Sequence, residues 1–248
     1  MNYRPRPLLA LLAAALGGAV TLPALASSCD ALEPFKLRYE VERGDTRLGT
    51  GEVRLASAGV ESCYRLQQTA TPHFLLRWLS GPAEQNSEFC RLPDGRLRAY
   101  GYSQHRTGVG AEKENYALEF DWSEQVVRGG RFGETEITPE HADTLMLQIR
   151  VRRWLCELES QARLDAAEPI ELPYVDHRGT GSYTFAITGP ESVETPAGRF
   201  DTLLVERIDA DDREAKFWLE PGRNYRLVKA EQRKDDDPVI RLSLLPED

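Results

Sequence analysis

The chain has 248 residues and a net charge of −9, from 31 basic and 40 acidic residues. That sign opposes nucleic acid or an anionic lipid surface as the main partner, and the length suits one β domain of the larger kind. Its four histidines include no pair at i, i+4 and no HExxH, and no GxSxG elbow or GK[ST] phosphate loop is present, so no metal, cofactor or catalytic residue is nominated.

The first predicted element is a leader. Arg4 and Arg6 precede an apolar run from Leu8 to Val20, and Ala24-Leu25-Ala26 offers the small-x-small site cut by signal peptidase. Residues 1–26 are expected to be removed and residues 27–248 to form a single β-rich domain in the periplasm. The run is shorter than the roughly 20 apolar residues that span a bilayer, and no later segment approaches that length, so the mature chain is expected to lack a transmembrane span. Removing the leader takes away two arginines and no acid, leaving 29 basic against 40 acidic residues and a charge of −11. Cys29 sits where a lipoprotein would be acylated, but Ala26 stands where Leu is usual, which favours a free protein over an anchored one.

Cleavage after Ala26 keeps an even set of cysteines, Cys29, Cys63, Cys90 and Cys156, in an oxidising compartment. Four cysteines allow three pairings. Cys63 with Cys90 and Cys29 with Cys156 is the favoured one, because Cys63 and Cys90 fall in neighbouring predicted strands. Closing the shorter loop would stabilise the fold by roughly 3 to 4 kcal/mol on chain-entropy grounds.

From Phe35 the chain alternates: Phe35, Leu37, Tyr39 and Val41 fall on one face and Lys36, Arg38, Glu40 and Glu42 on the other, the pattern of a half-buried antiparallel strand. Gly44-Asp45 turns into a second strand through Leu48, Val53 and Leu55, and a third passes through Cys63, Leu66 and Ala70. Strands at 84–92 and 97–104 flank Pro93-Asp94-Gly95, a turn set by the fixed φ of proline and the permissive φ of glycine. A hairpin follows at 116–128. One helix is predicted from near Pro139 to about Glu159, with Leu145, Ile149, Trp154 and Leu158 at helical spacing and Asp143 or Thr144 as its N-cap. It should plug or flank the sheet. Strands resume at 170–175, 181–188, 200–209, 214–219, 225–232 and 239–244. The expected fold is mainly β: a single antiparallel, strongly curved sheet or open β-barrel-like domain with one helix at about 140–160.

The segment joining the third and fourth strands is apolar, and Phe74, Leu75, Leu76 and Trp78 are its candidate ligand-binding residues, placed to line a cavity mouth. Asp176-His177-Arg178 and His141-Ala142-Asp143 put acids beside bases, but neighbours along a strand point to opposite faces and form no dyad.

Two later stretches carry a resemblance. Thr195-Pro196-Ala197-Gly198-Arg199-Phe200 builds a tight turn, and Phe217-Trp218-Leu219-Glu220-Pro221-Gly222-Arg223-Asn224-Tyr225 turns one strand into the next. Together they resemble the closing part of a bacterial envelope family catalogued as domain of unknown function 3108. The resemblance implies an antiparallel β fold and export to the periplasm, and it carries no catalytic residues.

The leading functional expectation is non-enzymatic binding of a hydrophobic or extended envelope ligand, a lipid or a polymer. A second is a protein-interaction module in envelope assembly, capturing an extended partner protein at a sheet edge by β-augmentation. A third is a glycan-acting enzyme, which would need two carboxylates facing each other across about 5 to 9.5 Å.

Overall fold

The computed structural model describes residues 29–73, 81–108, 111–209 and 213–247. The expected leader and its expected cleavage site lie outside these residues, as do Phe74, Leu75, Leu76 and Trp78.

Alternation sets the architecture. Strands β1 (Phe35–Arg43), β2 (Thr46–Ser57), β3 (Cys63–Pro72), β4 (Ala83–Arg91), β5 (Leu97–Arg106), β6 (Tyr116–Asp121), β7 (Val126–Gly129) and β8 (Gly133–Glu136) form a meander running outward from β1. After β9 (Ala142–Asp143) and the helix α1 (Leu147–Ser160) come β10 (Ile170–Asp176), β11 (Gly179–Thr195), β12 (Gly198–Arg207), β13 (Arg213–Glu220), β14 (Arg226–Lys234) and β15 (Ile240–Leu244). The last of these returns to pair with β1, giving, among the described residues, a single open sheet of 15 strands bounded by β8 and β9. The β1 to β2 and β1 to β15 ladders keep Leu37 and Tyr39 on the buried face, as the alternation requires.

The sheet curls until its two ends meet without sharing a ladder. At this seam the Arg131 amide donates to the His177 carbonyl at 2.8 Å. There the rings of Tyr116 and His177 lie 5.4 Å apart, and farther from the edge the hydroxyl of Ser87, on β4, donates to Asp143 Oδ2 of β9 at 2.6 Å. The sheet is therefore open, and strongly curved.

Three details depart from the sequence reading. The helix begins at Leu147 rather than near Pro139, because Ala142 and Asp143 are drawn into a two-residue parallel pairing with Tyr174 and Val175. Asp143 is not its N-cap: Oδ1 accepts from the Leu145 and Met146 amides and closes the preceding turn, while the cap position is held by Met146. The buried helical stripe runs through Ile149, Arg152, Leu155 and Cys156, and Trp154 lies at its margin.

The core lies on the concave side, where buried residues of α1 join Leu37, Leu55, Leu66, Val205 and Leu219 in one cluster. Full burial of such a side chain stabilises the fold by roughly 1.5–3 kcal/mol. A smaller cluster of Val193, Leu204, Trp218 and Val228 covers the convex side of β11 to β14. Phe217 and Trp218 thus serve opposite faces of one strand. Two disulfides tie the frame. Cys63 and Cys90 face each other in the β3–β4 ladder, and Cys29 joins Cys156, fastening the first described residue to the helix.

Among the described residues, no helix is long and apolar enough to cross a membrane.

Candidate functional site: a trough between the helix and the concave sheet

The helix does not fill the curl of the sheet. Beside it lies a cavity of about 380 Å³, walled by inward residues of β1, β2, β11, β13, β14 and β15, including Leu37, Val53, Phe185, Phe217, Leu219 and Leu242, and by Leu147 and Val151 of α1. A second space of about 870 Å³ opens against β2 to β5. Gln68, Gln85, Arg213 and Gln232 line both, so the two are inner and outer parts of one trough. Each volume falls within the range of roughly 300–1,000 Å³ usual for small-molecule sites.

The inner part is mainly apolar and the outer part mixed, and strand register explains the added polar groups. Gln68, Gln85 and Gln104 stand opposite one another across β3, β4 and β5. The Gln85 amide donates to Gln104 Oε1 at 2.9 Å, and Gln104 donates in turn to the Glu114 carbonyl. Arg106 pairs with Glu114 at the rim.

The charged lining of the inner part is unlike that of the whole chain: four arginines, Arg152, Arg207, Arg213 and Arg226, against one carboxylate, Glu231. Lys229 and Arg241 each bind Glu231 at 2.9 Å. Burial alone would raise the pKa of that carboxyl, but the hydrogen bonds from Lys229 and Arg241 outweigh it and leave the pKa lowered. Arg207 lies 4.5 Å over the Tyr183 ring and 3.1 Å from Asp209, a Coulombic pair whose Nε–H is not aligned for a hydrogen bond.

Arg152 closes the base of the inner part. Its Nε donates to the Asn224 carbonyl at 2.9 Å, and its guanidinium stacks 4.8 Å from the Phe35 ring. Arg226 approaches the same ring at 5.7 Å and is held by Glu33 at 2.9 Å. The Asn224 turn, with φ of 55° at both Asn224 and Tyr225, is fastened on its other side, where Asn224 Oδ1 accepts from the Asp30 amide and its Nδ2 donates to Glu33. The turn, the segment from Cys29 to Phe35 and the helix therefore meet around Arg152, and the Cys29–Cys156 bond lies one helical turn away.

The candidate residues of the sequence reading are placed unevenly. Phe74, Leu75, Leu76 and Trp78 fall outside the described residues, although Pro72 and Gly81, on either side of that segment, line the outer part. Asp176 is committed to Arg178 through three hydrogen bonds, with the His177 ring 4.0 Å away. His141 accepts from the Thr138 amide. Neither Asp143 nor Asp176 lines either part of the trough. Among the described residues, no group of three or more His, Cys, Asp or Glu is placed to hold a metal ion. The arginines were missed. Their signal was Arg152 at the i+3 position between Ile149 and Cys156, a charge on the apolar stripe of the helix.

Likenesses to known proteins are of fold and family. A solved structure from Brucella abortus, described as a β-barrel-like protein of domain of unknown function DUF1849, aligns over 86% of this chain and 96% of its own at 12% identity, with a TM-score of 0.52. A solved structure from Bacteroides fragilis NCTC 9343, described as a putative exported protein with YmcC-like fold, covers 85% of this chain and 93% of its own at 10% identity, with a TM-score of 0.31. No curated protein matches the sequence. The pattern of the family described as protein of unknown function (DUF3108) extends over residues 38–243, from the first strand to the last, and the chain belongs to that family.

Proposed function

We propose that this protein is exported to the periplasm and there holds an envelope lipid in the trough, without catalysing a reaction. The observation that carries this reading is the inner cavity of about 380 Å³ with its wall of aliphatic and aromatic side chains, continuous with a wider space of mixed lining. A groove walled by aliphatic and aromatic side chains, with arginines among them, suits a ligand with one long oily part and one polar end. The leader and the two disulfides support export to an oxidising compartment.

Neither alternative draws comparable support. The strands bounding the sheet are four and two residues long, β8 carries Glu134 and Glu136, and short charged edges resist strand addition. The trough's carboxylates, Glu231 and Glu114, are each held by a cation, which suits neither the acid nor the free base of a glycosidase pair.

The test is displacement of a neutral hydrophobic fluorophore from the delipidated protein by an extract of envelope lipids. Saturable probe binding that the extract reverses supports the reading. A protein that binds no probe and carries no co-purifying lipid in native mass spectrometry overturns it.

A further inference from the structure

Arg152 lines the inner cavity and is 3% exposed, yet its Nη1 and Nη2 have no hydrogen-bond partner. Arg226, 5.7 Å from the same Phe35 ring, lines the cavity as well, and its Nε is also unpartnered. Two guanidinium groups thus converge on one ring at the closed end of an apolar cavity, with three buried nitrogens unanswered. Buried polar groups are almost always hydrogen-bonded, and a buried donor without an acceptor costs about 1–3 kcal/mol. Glu33 answers Arg226 through Nη2 only. Among the described residues, no carboxylate forms an ion pair with Arg152, because Glu33 is committed to Arg226 and Asn224 and Asp30 Oδ1 to the Leu32 amide.

We infer that the trough binds a single-chain amphiphile with a carboxylate head, a long-chain fatty acid, head inward on Arg152 and Arg226 and tail along the apolar wall. This rests on the proposed lipid-binding function and specifies its ligand. The free edge of Arg152 is the Nη1/Nη2 pair, because Nε is occupied by the Asn224 carbonyl, and two parallel N–H groups match the two oxygens of a carboxylate. The Phe35 ring fixes the plane of the guanidinium. Leu37, Phe185, Phe217 and Leu219 supply the surface for the chain. Burial, followed by the neighbouring Arg226, lowers the Arg152 pKa to about 10, so the group stays cationic at neutral pH. A chain that is acidic overall thus sets four arginines against one carboxylate around the inner cavity.

The experiment compares dodecanoate with dodecanol in displacing the neutral fluorophore from the delipidated protein. The acid is expected to displace at roughly tenfold to hundredfold lower concentration, the ratio given by a charge-assisted hydrogen-bonded pair. Arg152→Met should collapse that ratio toward one, and Arg152→Lys, which keeps the charge and loses the fork, should retain part of it. If acid and alcohol displace equally from the wild type, the anchor is wrong and lipid binding stands. If the probe itself does not bind, lipid binding and the anchor fall together. The comparison within the wild type needs no variant to fold.

Discussion

Asp143 at the seam and Arg152 in the trough are both withdrawn from water, at 0% and 3% exposure, and the fold treats them in opposite ways. Asp143 is surrounded by donors: Ser87 on Oδ2, and the amides of Leu145 and Met146 on Oδ1. Arg152 has one acceptor, the Asn224 carbonyl, for its Nε, and two bare Nη nitrogens. A charge whose bonding capacity is met from within is holding the structure together, here by tying the end strand β9 to β4 and to the turn before the helix. A charge left with unmet donors beside a cavity is waiting for something from outside.

The largest expected effect tests how the base of the trough is held. The Cys29–Cys156 bond closes a separation of 127 residues, so the double variant Cys29→Ala, Cys156→Ala should lose about 4 to 5 kcal/mol on chain-entropy grounds. Chemical denaturation followed by tryptophan fluorescence measures it. A loss below about 1 kcal/mol would show that packing alone keeps the segment from Cys29 to Phe35 against the helix, and would weaken the case for a preformed site.

At the seam, Asp143→Ala strands three donors at once and should cost about 3 kcal/mol or more. Asp143→Asn keeps acceptors for the two amides and a donor for Ser87 Oγ, and should be milder. Protonation sharpens the distinction. Burial raises the Asp143 pKa from 3.8 to about 6, against the pull of its hydrogen bonds. A raised carboxyl pKa means that the folded state holds its proton longer than the unfolded chain does. The stability associated with this group is thus fully present below about pH 4 and is lost as pH rises to about 6, by up to about 3 kcal/mol. Asp121, lowered to about 2 first by its Ser123 hydrogen bond, works in the opposite direction at lower pH. The measurement is therefore the difference in stability between wild type and Asp143→Asn across pH 4 to 6. A flat difference would mean that Asp143 is not withdrawn from water as its surroundings indicate.

The same contrast governs what was legible in the sequence. Strands such as β1 were readable because one face is buried and the other is wet, so alternation and structure share a cause. The turns at Gly95 and Gly198 were readable because their positive φ favours glycine. The run of β11 past Pro190 to Thr195 was not: a register shift between Ile187 and Gly189 lets the strand continue where glycine and proline read as its end. The strands β8 and β9 are too short to show a period, and β9 exists only because Tyr174 and Val175 receive it. The trough depends on the sheet curling back on itself, which sets arginines from α1, β12, β13 and β14 around one space. None of them was read from the sequence, and only Arg152, a charge on an apolar helical stripe, left a signal there.

The smallest expected effect is the one that most directly tries the comparison. If Arg152 were a structural element like Asp143, its removal would behave like breaking a buried pair and cost about 3–5 kcal/mol. If its Nη groups are unanswered in the empty protein, Arg152→Met removes an uncompensated buried charge and puts an apolar chain of similar reach in its place. It forfeits one hydrogen bond to Asn224, worth about 1 kcal/mol, and relieves the repulsion from Arg226. Stability should then stay within about 1 kcal/mol of the wild type or rise, as when buried ionic groups are exchanged for hydrophobic ones. Urea midpoints of the delipidated proteins read the sign directly. The two variants should therefore diverge, Asp143→Ala falling by several kcal/mol while Arg152→Met holds level. A parallel fall in both would make the trough arginine one more strut of the fold and leave the cavity without a reason for its charge.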